Sequence, residues 1–355
     1  MNIIESFVNT LEPAIYPKVS SDAYDLVNSV GVIDLHCDAP LFEKDLTVCR
    51  YVGHVDFPRL VEGNVQLQIH AVATQLPFGF NHTMTIERRP DVLTLVYGAM
   101  LSRMALMTPY ERLLYQAKRM RAMTERSNDA FWVDNRDIQL KGKQTAVVLG
   151  FEGAQGVGDK PENIARLYAE GYRIAGLSHF HDNDYCGSHH GETGRGLSDM
   201  GHTLVEMAGR LNMIVDLAHA SSQTIHDVCH YKKPVLCSHT GITGHYDSTR
   251  NISNEDAKLI ADVGGVIGIG FWLDAVGSPM VSDIVDGIEY GINVAGVESI
   301  ALGSDFDGGI RATADTAEMP YLIVDEMLRR RIPTMTIELV VFRNAKRILQ
   351  ENLPT

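Results

Sequence analysis

Apolar residues along the chain fall into short β-branched runs, each closing on a polar or metal-binding residue and followed by a longer stretch with helical spacing. Eight such runs occur, at 32–38, 65–74, 145–152, 172–179, 213–219, 234–239, 265–271 and 299–305. Their near-continuous apolar character predicts strands buried on both faces, as in a parallel sheet covered by helices. Amphipathic stretches at 164–170, 201–211, 254–262 and 281–291 predict those covering helices. Eight strands alternating with helices specify an α/β fold, and the number matches a closed (β/α)8 barrel of the TIM type. The longest interruption, 75–144 after the second run, is rich in Leu, Met, Arg and Glu and predicts a helical insertion that covers the site. Without an internal repeat, low-complexity tract or Gly/Ser linker, 1–355 reads as one domain. The run GGVIGIGF from Gly264 lacks both the dinucleotide fingerprint and a phosphate-loop lysine, so it reads as the seventh strand, its glycines allowing close packing.

Composition narrows the partners. At 355 residues and 45% hydrophobic content the chain can bury a large core, while a formal net charge of -14 supplies no basic field for nucleic acid or anionic lipid. The five cysteines, Cys37, Cys49, Cys186, Cys229 and Cys237, are odd in number and lack CxxC spacing, which argues against a disulfide framework and a thiolate zinc site. The N-terminal MNIIESFVNT lacks the basic and apolar regions of a signal peptide, and no apolar run reaches spanning length. The expectation is a cytoplasmic protein without a membrane anchor. The Met-rich stretch 100–123 suits helix core or an oligomer contact and leaves a homodimer open.

The chemistry concentrates where the predicted strands end. In IDLHCD at the first strand, a period of two puts Asp34, His36 and Asp38 on one face. Four other strands end in Glu152, His219, His239 and Asp305. Any one of these alone reads as a polar cap, but in a barrel the C-terminal strand ends converge on one site. Three histidines and two or three carboxylates, with no cysteine, suit zinc or another divalent ion in an open catalytic site. Glu152 can lend one oxygen to each of two ions, which would leave a bridging water of lowered pKa. Of the remaining polar residues, Asp34 reads as a buried brace or a partner behind the ligands, and Asp307 as a loop-capping acid. His189, His190 and His202 read as solvated surface histidines, and His54 and His70 receive no role.

The motifs IDLHCD, LGFEGAQ, GLSHFHDND, MIVDLAH, PVLCSHT, STRNISNE and IALGSDFDGG together resemble the membrane (renal) dipeptidase family of zinc-dependent peptidases, an amidohydrolase-like barrel, over about 33–349. The resemblance implies two Zn2+, with His36 and Asp38 on one, His219 and His239 on the other, and Glu152 bridging both. It implies that Asp305 exchanges protons with the attacking water and the leaving amine. It further implies that His179, with His181 as the alternative, polarises the scissile carbonyl, and that Arg250 binds the substrate's terminal carboxylate. The activity implied is hydrolysis of small dipeptides by a bridging hydroxide, with a D-residue at the C-terminal position left open. Two other readings stand beside it: an N-acyl (D-)amino acid deacylase on the same site, and a non-catalytic metal-binding scaffold. A lysine-bridged metal pair fits poorly, because no predicted central strand ends in lysine whereas one ends in Glu152.

Overall fold

The computed structural model describes residues 8–49, 52–86, 89–140 and 143–355, so most of the N-terminal stretch read for a signal peptide lies outside the described residues. The eight apolar runs become eight parallel strands: β1 (Val32–Cys37), β2 (Val65–Ala73), β3 (Thr145–Glu152), β4 (Tyr172–Gly176), β5 (Ile214–Asp216), β6 (Leu236–Thr240), β7 (Val266–Ile269) and β8 (Ile300–Leu302). Each pairs with its neighbours in chain order, and β8 returns to β1, so the sheet closes into a barrel. The predicted outer helices form at Asn163–Ala169, Asp199–Arg210, Asn254–Asp262 and Val281–Ala295. Serines set two of their starts: Ser198 accepts from Gly201 N and Ser253 from Asp256 N, satisfying amides that a first turn leaves unpaired.

Alternation along the strands sorts side chains into two layers. Ile33, Leu67, Ala146, Ile174, Ile214, Leu236, Val266 and Ala301, one from each strand, join Ala345, Ile348 and Leu349 of the last helix, Asn344–Asn352, in the barrel interior. Val32, Val147, Ala175, Val215, Cys237, Ile267 and Ile300 belong instead to the larger cluster between strands and outer helices. Gly268 on β7 and Gly303 just after β8 are required by this packing, since a Cβ on either would lie 2.0 Å or 1.9 Å from the Ser238 carbonyl oxygen.

The alternation fails at β1, and the failure matters to the site. The pairing of β1 with β2 shifts register between Asp34 and Cys37. Asp34 consequently lies with Val32, Leu302, Met319 and Ile323 in the outer layer, while His36 reaches the cluster at the barrel mouth. The expected common face for Asp34, His36 and Asp38 is thus corrected. Asp34 braces the slip from behind, accepting from His36 N, Ser304 N and Oγ, and Gln68 Nε2.

The insertion after β2 is helical, as its composition predicts, with helices Val92–Ala99 and Pro109–Arg126. The second opens on a reciprocal cap between Thr108 and Glu111 with proline in its first turn. Its Arg112 ties the insertion to the barrel, donating to Thr74 O just past β2, to Met104 O, to Asp91 Oδ2 and to Thr94 Oγ1. A further short strand, Ala130–Trp132, pairs with β3, and Thr10–Leu11 pairs with Arg311–Ala312 in the loop after β8. Among the described residues no helix is long and apolar enough to cross a membrane, and all five cysteines are free.

Candidate metal centre

The strand ends deliver their polar side chains to one point. Glu152 Oε1 lies 3.9 Å from His36 Nε2, 3.2 Å from His219 Nε2 and 3.4 Å from His239 Nε2. Its other oxygen, Oε2, is 3.4 Å from His179 Nε2. His36 Nε2 also sits 3.6 Å from Asp38 Oδ2 and 3.8 Å from Asp305 Oδ1. Two ligands bound to one tetrahedral zinc are roughly 3.4 Å apart, given metal–ligand bonds of about 2.1 Å, so these spacings suit shared ions better than direct hydrogen bonds. His36 Nε2, Asp38 Oδ1 and Glu152 Oε1 are buried without a hydrogen-bond partner among the described residues, a costly arrangement unless a cation satisfies them.

Charge points the same way. Three carboxylates, Asp38, Glu152 and Asp305, line the same cavity as the Arg250 guanidinium. Burial raises Glu152 well above the usual carboxylate range, and the nearby charge of Asp38 adds to it. Asp305 is carried up to about 8 by burial and by the Asp38 charge. For His36 burial disfavours the charged ring, but the neighbouring carboxylates of Asp38, Glu152 and Asp305 outweigh it and lift the imidazole to about 10. The crowded carboxyls thus hold their charge only at a cost, and divalent cations bound among them would favour the charged forms.

Local backbone serves the cluster. His219 and Asp305 are held at φ of 62° and 60°, left-handed values rare outside glycine, which turn their side chains back over the mouth. Gly308 packs against the same acids, where a Cβ would fall 2.3 Å from Asp305 Oδ1 and 2.8 Å from Asp38 Oδ2. Asp307 behaves as the structural acid expected, accepting from His54 N and pairing with Lys44.

The structure also assembles groups that the sequence patterns passed over. Ser238 has one proton and two lone pairs. Its proton goes to Asp216 Oδ2 at 2.6 Å, leaving the oxygen to accept from His36 Nδ1 at 3.1 Å and His239 Nδ1 at 2.9 Å. One serine thereby orients both rings with Nε2 toward Glu152. A serine beside a histidine carries no signal in sequence, because the three residues it joins are brought together by different strands. His190, read as a surface residue, is fully buried and packs on Phe180 and His219, with Nδ1 at 2.9 Å from His82 O. His202 is exposed as expected, while His54 and His70 are buried. His181 turns away from the cluster into a small pocket with Gln155 and Asn183.

Arg250 follows β6 and is 2% exposed. It donates to His239 O at 2.7 Å, lies 3.3 Å from His219 Nε2 and stacks over the Trp272 ring at 5.3 Å. Asp38, Glu152, His179, His219, Arg250 and Asp305 all line one open cavity of about 640 Å³ at the C-terminal end of the barrel. That is the size and position of a small-molecule site in such folds.

Residues 21–353 match the family model described as membrane dipeptidase, peptidase family M19. Among curated relatives, an uncharacterised dipeptidase of Schizosaccharomyces pombe is 31% identical over 245 residues, which cover 64% of this chain and 59% of that protein. A probable dipeptidase of Pseudomonas aeruginosa shares the fold with a TM-score of 0.78 at 19% identity, over 95% of this chain and 99% of that one. A metallopeptidase of Rhodobacter sphaeroides, solved with a phosphinate mimic of the dipeptide L-Ala-D-Ala, superposes with a TM-score of 0.71 at 20% identity, over 91% and 99% of the two chains. With the family match running over residues 21–353 and the cluster of potential metal ligands at the barrel mouth, the chain belongs to the membrane dipeptidase family, M19, of metal-dependent hydrolases acting on peptide bonds.

Proposed function

We propose that the protein hydrolyses dipeptides at a binuclear zinc centre, with His36 and Asp38 holding one ion, His219 and His239 the other, and Glu152 shared between them. The observation that carries this reading is the convergence of His36, Asp38, Glu152, His219 and His239 with His179 and Asp305 into overlapping groups of metal-capable atoms, beside a cavity that Arg250 also lines. Bound there, the ions would supply a bridging water acidic enough to serve as hydroxide at neutral pH and a Lewis acid for the carbonyl oxygen. His179, whose pKa burial pulls down to about 3, stays a neutral ring, and its Nε2 donates a hydrogen bond to that oxygen as charge develops on it. Asp305 accepts the proton of the attacking water and passes it to the departing amine nitrogen. Arg250 grips the substrate's C-terminal carboxylate with its planar fork and so measures one residue beyond the cut. The insertion and the barrel line the same cavity, so in this reading residues 1–355 act as one domain. The dipeptide mimic held by the Rhodobacter sphaeroides relative supports acceptance of a D-residue at the C-terminal position.

The test is turnover of L,L- and L,D-dipeptides beside N-acetylated amino acids, using zinc-reconstituted protein with and without chelator. Chelator-sensitive cleavage of the free dipeptides is the expected result. Cleavage confined to the acylated compounds would replace this reading with the deacylase. Inertness toward every amide would leave a metal-binding scaffold.

A further inference from the structure

The ring order of the barrel gives the cavity a direction. Arg250 and His219 follow β6 and β5, whereas Asp38 follows β1, across the eight-stranded ring. A substrate whose carboxylate lies on Arg250 and whose scissile carbonyl lies at Glu152 must therefore point its amino-terminal residue toward the loops after β1 and β2. Those loops build an apolar wall. Leu41 is tied to Asp38 through its backbone, N to Asp38 O at 2.9 Å, and packs with Leu76, just past β2, against Leu93 and Tyr97 of the insertion helix Val92–Ala99. Val92 and Val96, one turn apart and half-buried, present the cavity face of that helix.

The charged residues at the cavity rim do not spoil this wall. Glu12 pairs with Arg311 at 3.0 Å, and His82 pairs with Asp274 at 3.1 Å. The wall itself is held from behind by buried Arg112, stacked 5.2 Å from the Tyr97 ring, so it is a fixed surface. A charged or very small side chain gains little there, while a large apolar one removes both its own surface and that of the wall from water.

We propose that the residue on the acyl side of the cut is large and apolar, of the leucine or phenylalanine class, and that Val92, Val96 and Leu76 select it. This rests on the dipeptidase reading and adds the substrate class. The experiment compares kcat/KM for Gly-Ala, Leu-Ala, Phe-Ala, Lys-Ala and Asp-Ala with zinc-loaded protein, and repeats the Gly-Ala and Leu-Ala pair with Val96→Asp and Val96→Leu. Leu-Ala and Phe-Ala should exceed Gly-Ala by at least about tenfold, in the range one well-packed apolar group supplies. Val96→Asp should lower the Leu-Ala to Gly-Ala ratio about tenfold, and Val96→Leu should preserve the preference for apolar residues. Equal turnover of Gly-Ala and Leu-Ala, or preference for the charged substrates, overturns the proposal while leaving the dipeptidase reading intact. Cleavage of none of the dipeptides defeats that reading instead. The parent's own ratio decides the matter even if Val96→Asp folds poorly, which a melting curve would reveal.

Discussion

Glu152 is where the two halves of the ligand cluster meet, one oxygen facing three imidazoles and the other facing His179. Glu152→Gln keeps the shape but removes the charge that two ions would share. We expect kcat to fall by at least about a thousandfold, the scale of losing one preorganised electrostatic group, together with a drop in bound zinc by elemental analysis. Near-normal turnover with two zinc ions retained would end the binuclear account. Arg250→Ala should instead raise KM by roughly ten- to a hundredfold, corresponding to the ~1.5–3 kcal/mol of a hydrogen bond to a charged group. An unchanged KM removes Arg250 from substrate binding. Ser238→Ala leaves both rings in place but frees their tautomers. Zinc affinity, measured by competition with a chromogenic chelator, should weaken about ten- to a hundredfold, as loss of a hydrogen bond behind a metal ligand does elsewhere. Unaltered affinity would reduce Ser238 to packing.

Among the elements, the insertion is the one whose attachment rests on few groups. Arg112 reaches the barrel through Thr74 O and pairs with Asp91 Oδ2 at 2.7 Å, and its own side chain is only 3% exposed. Burial alone would raise the Asp91 pKa, yet the hydrogen bond from Arg112 and those from Leu76 N and Thr94 bring it below the usual carboxylate range. Arg112→Leu would strand that carboxylate and free two carbonyl oxygens. Breaking such a pair costs about 3 kcal/mol, so the insertion should open locally before the barrel does. Faster limited proteolysis within 75–108, with the barrel fragment resistant, is the expected outcome. Proteolysis at the parent's rate would show that the apolar contacts of Leu93, Tyr97 and Met104 hold the insertion without the arginine.

For the whole molecule, the metal ions would be part of the fold as well as of the chemistry, because Asp38, Glu152 and Asp305 are crowded together at the barrel mouth. Ligands that bind only the folded chain stabilise it by mass action, by about 4 kcal/mol at a thousandfold excess over Kd. Removing metal with a chelator should therefore lower the melting temperature by several degrees, and zinc should restore it. An identical melting temperature with and without metal would mean the cluster tolerates its charge unaided.

The barrel itself was legible in the sequence. Strands buried on both faces carry unbroken apolar runs, and the eight runs at 32–38 through 299–305 became β1–β8 in order. The convergence of polar strand ends was legible too, because Glu152, His219, His239 and Asp305 each end such a run, and a barrel gathers strand ends. What alternation could not show was the register slip at β1 that separates Asp34 from His36, since a bulge depends on the partner strand and leaves no periodic mark. Nor could it show the left-handed backbone at His219 and Asp305, the burial of His190 or the joining of His36, Asp216 and His239 through Ser238. The sequence by itself determined which elements form and which residue types close them, because those follow from local periodicity. The tertiary structure alone decided which side chains meet, because this depends on contacts between residues as far apart as Leu41 and Tyr97, or His36 and Ser238.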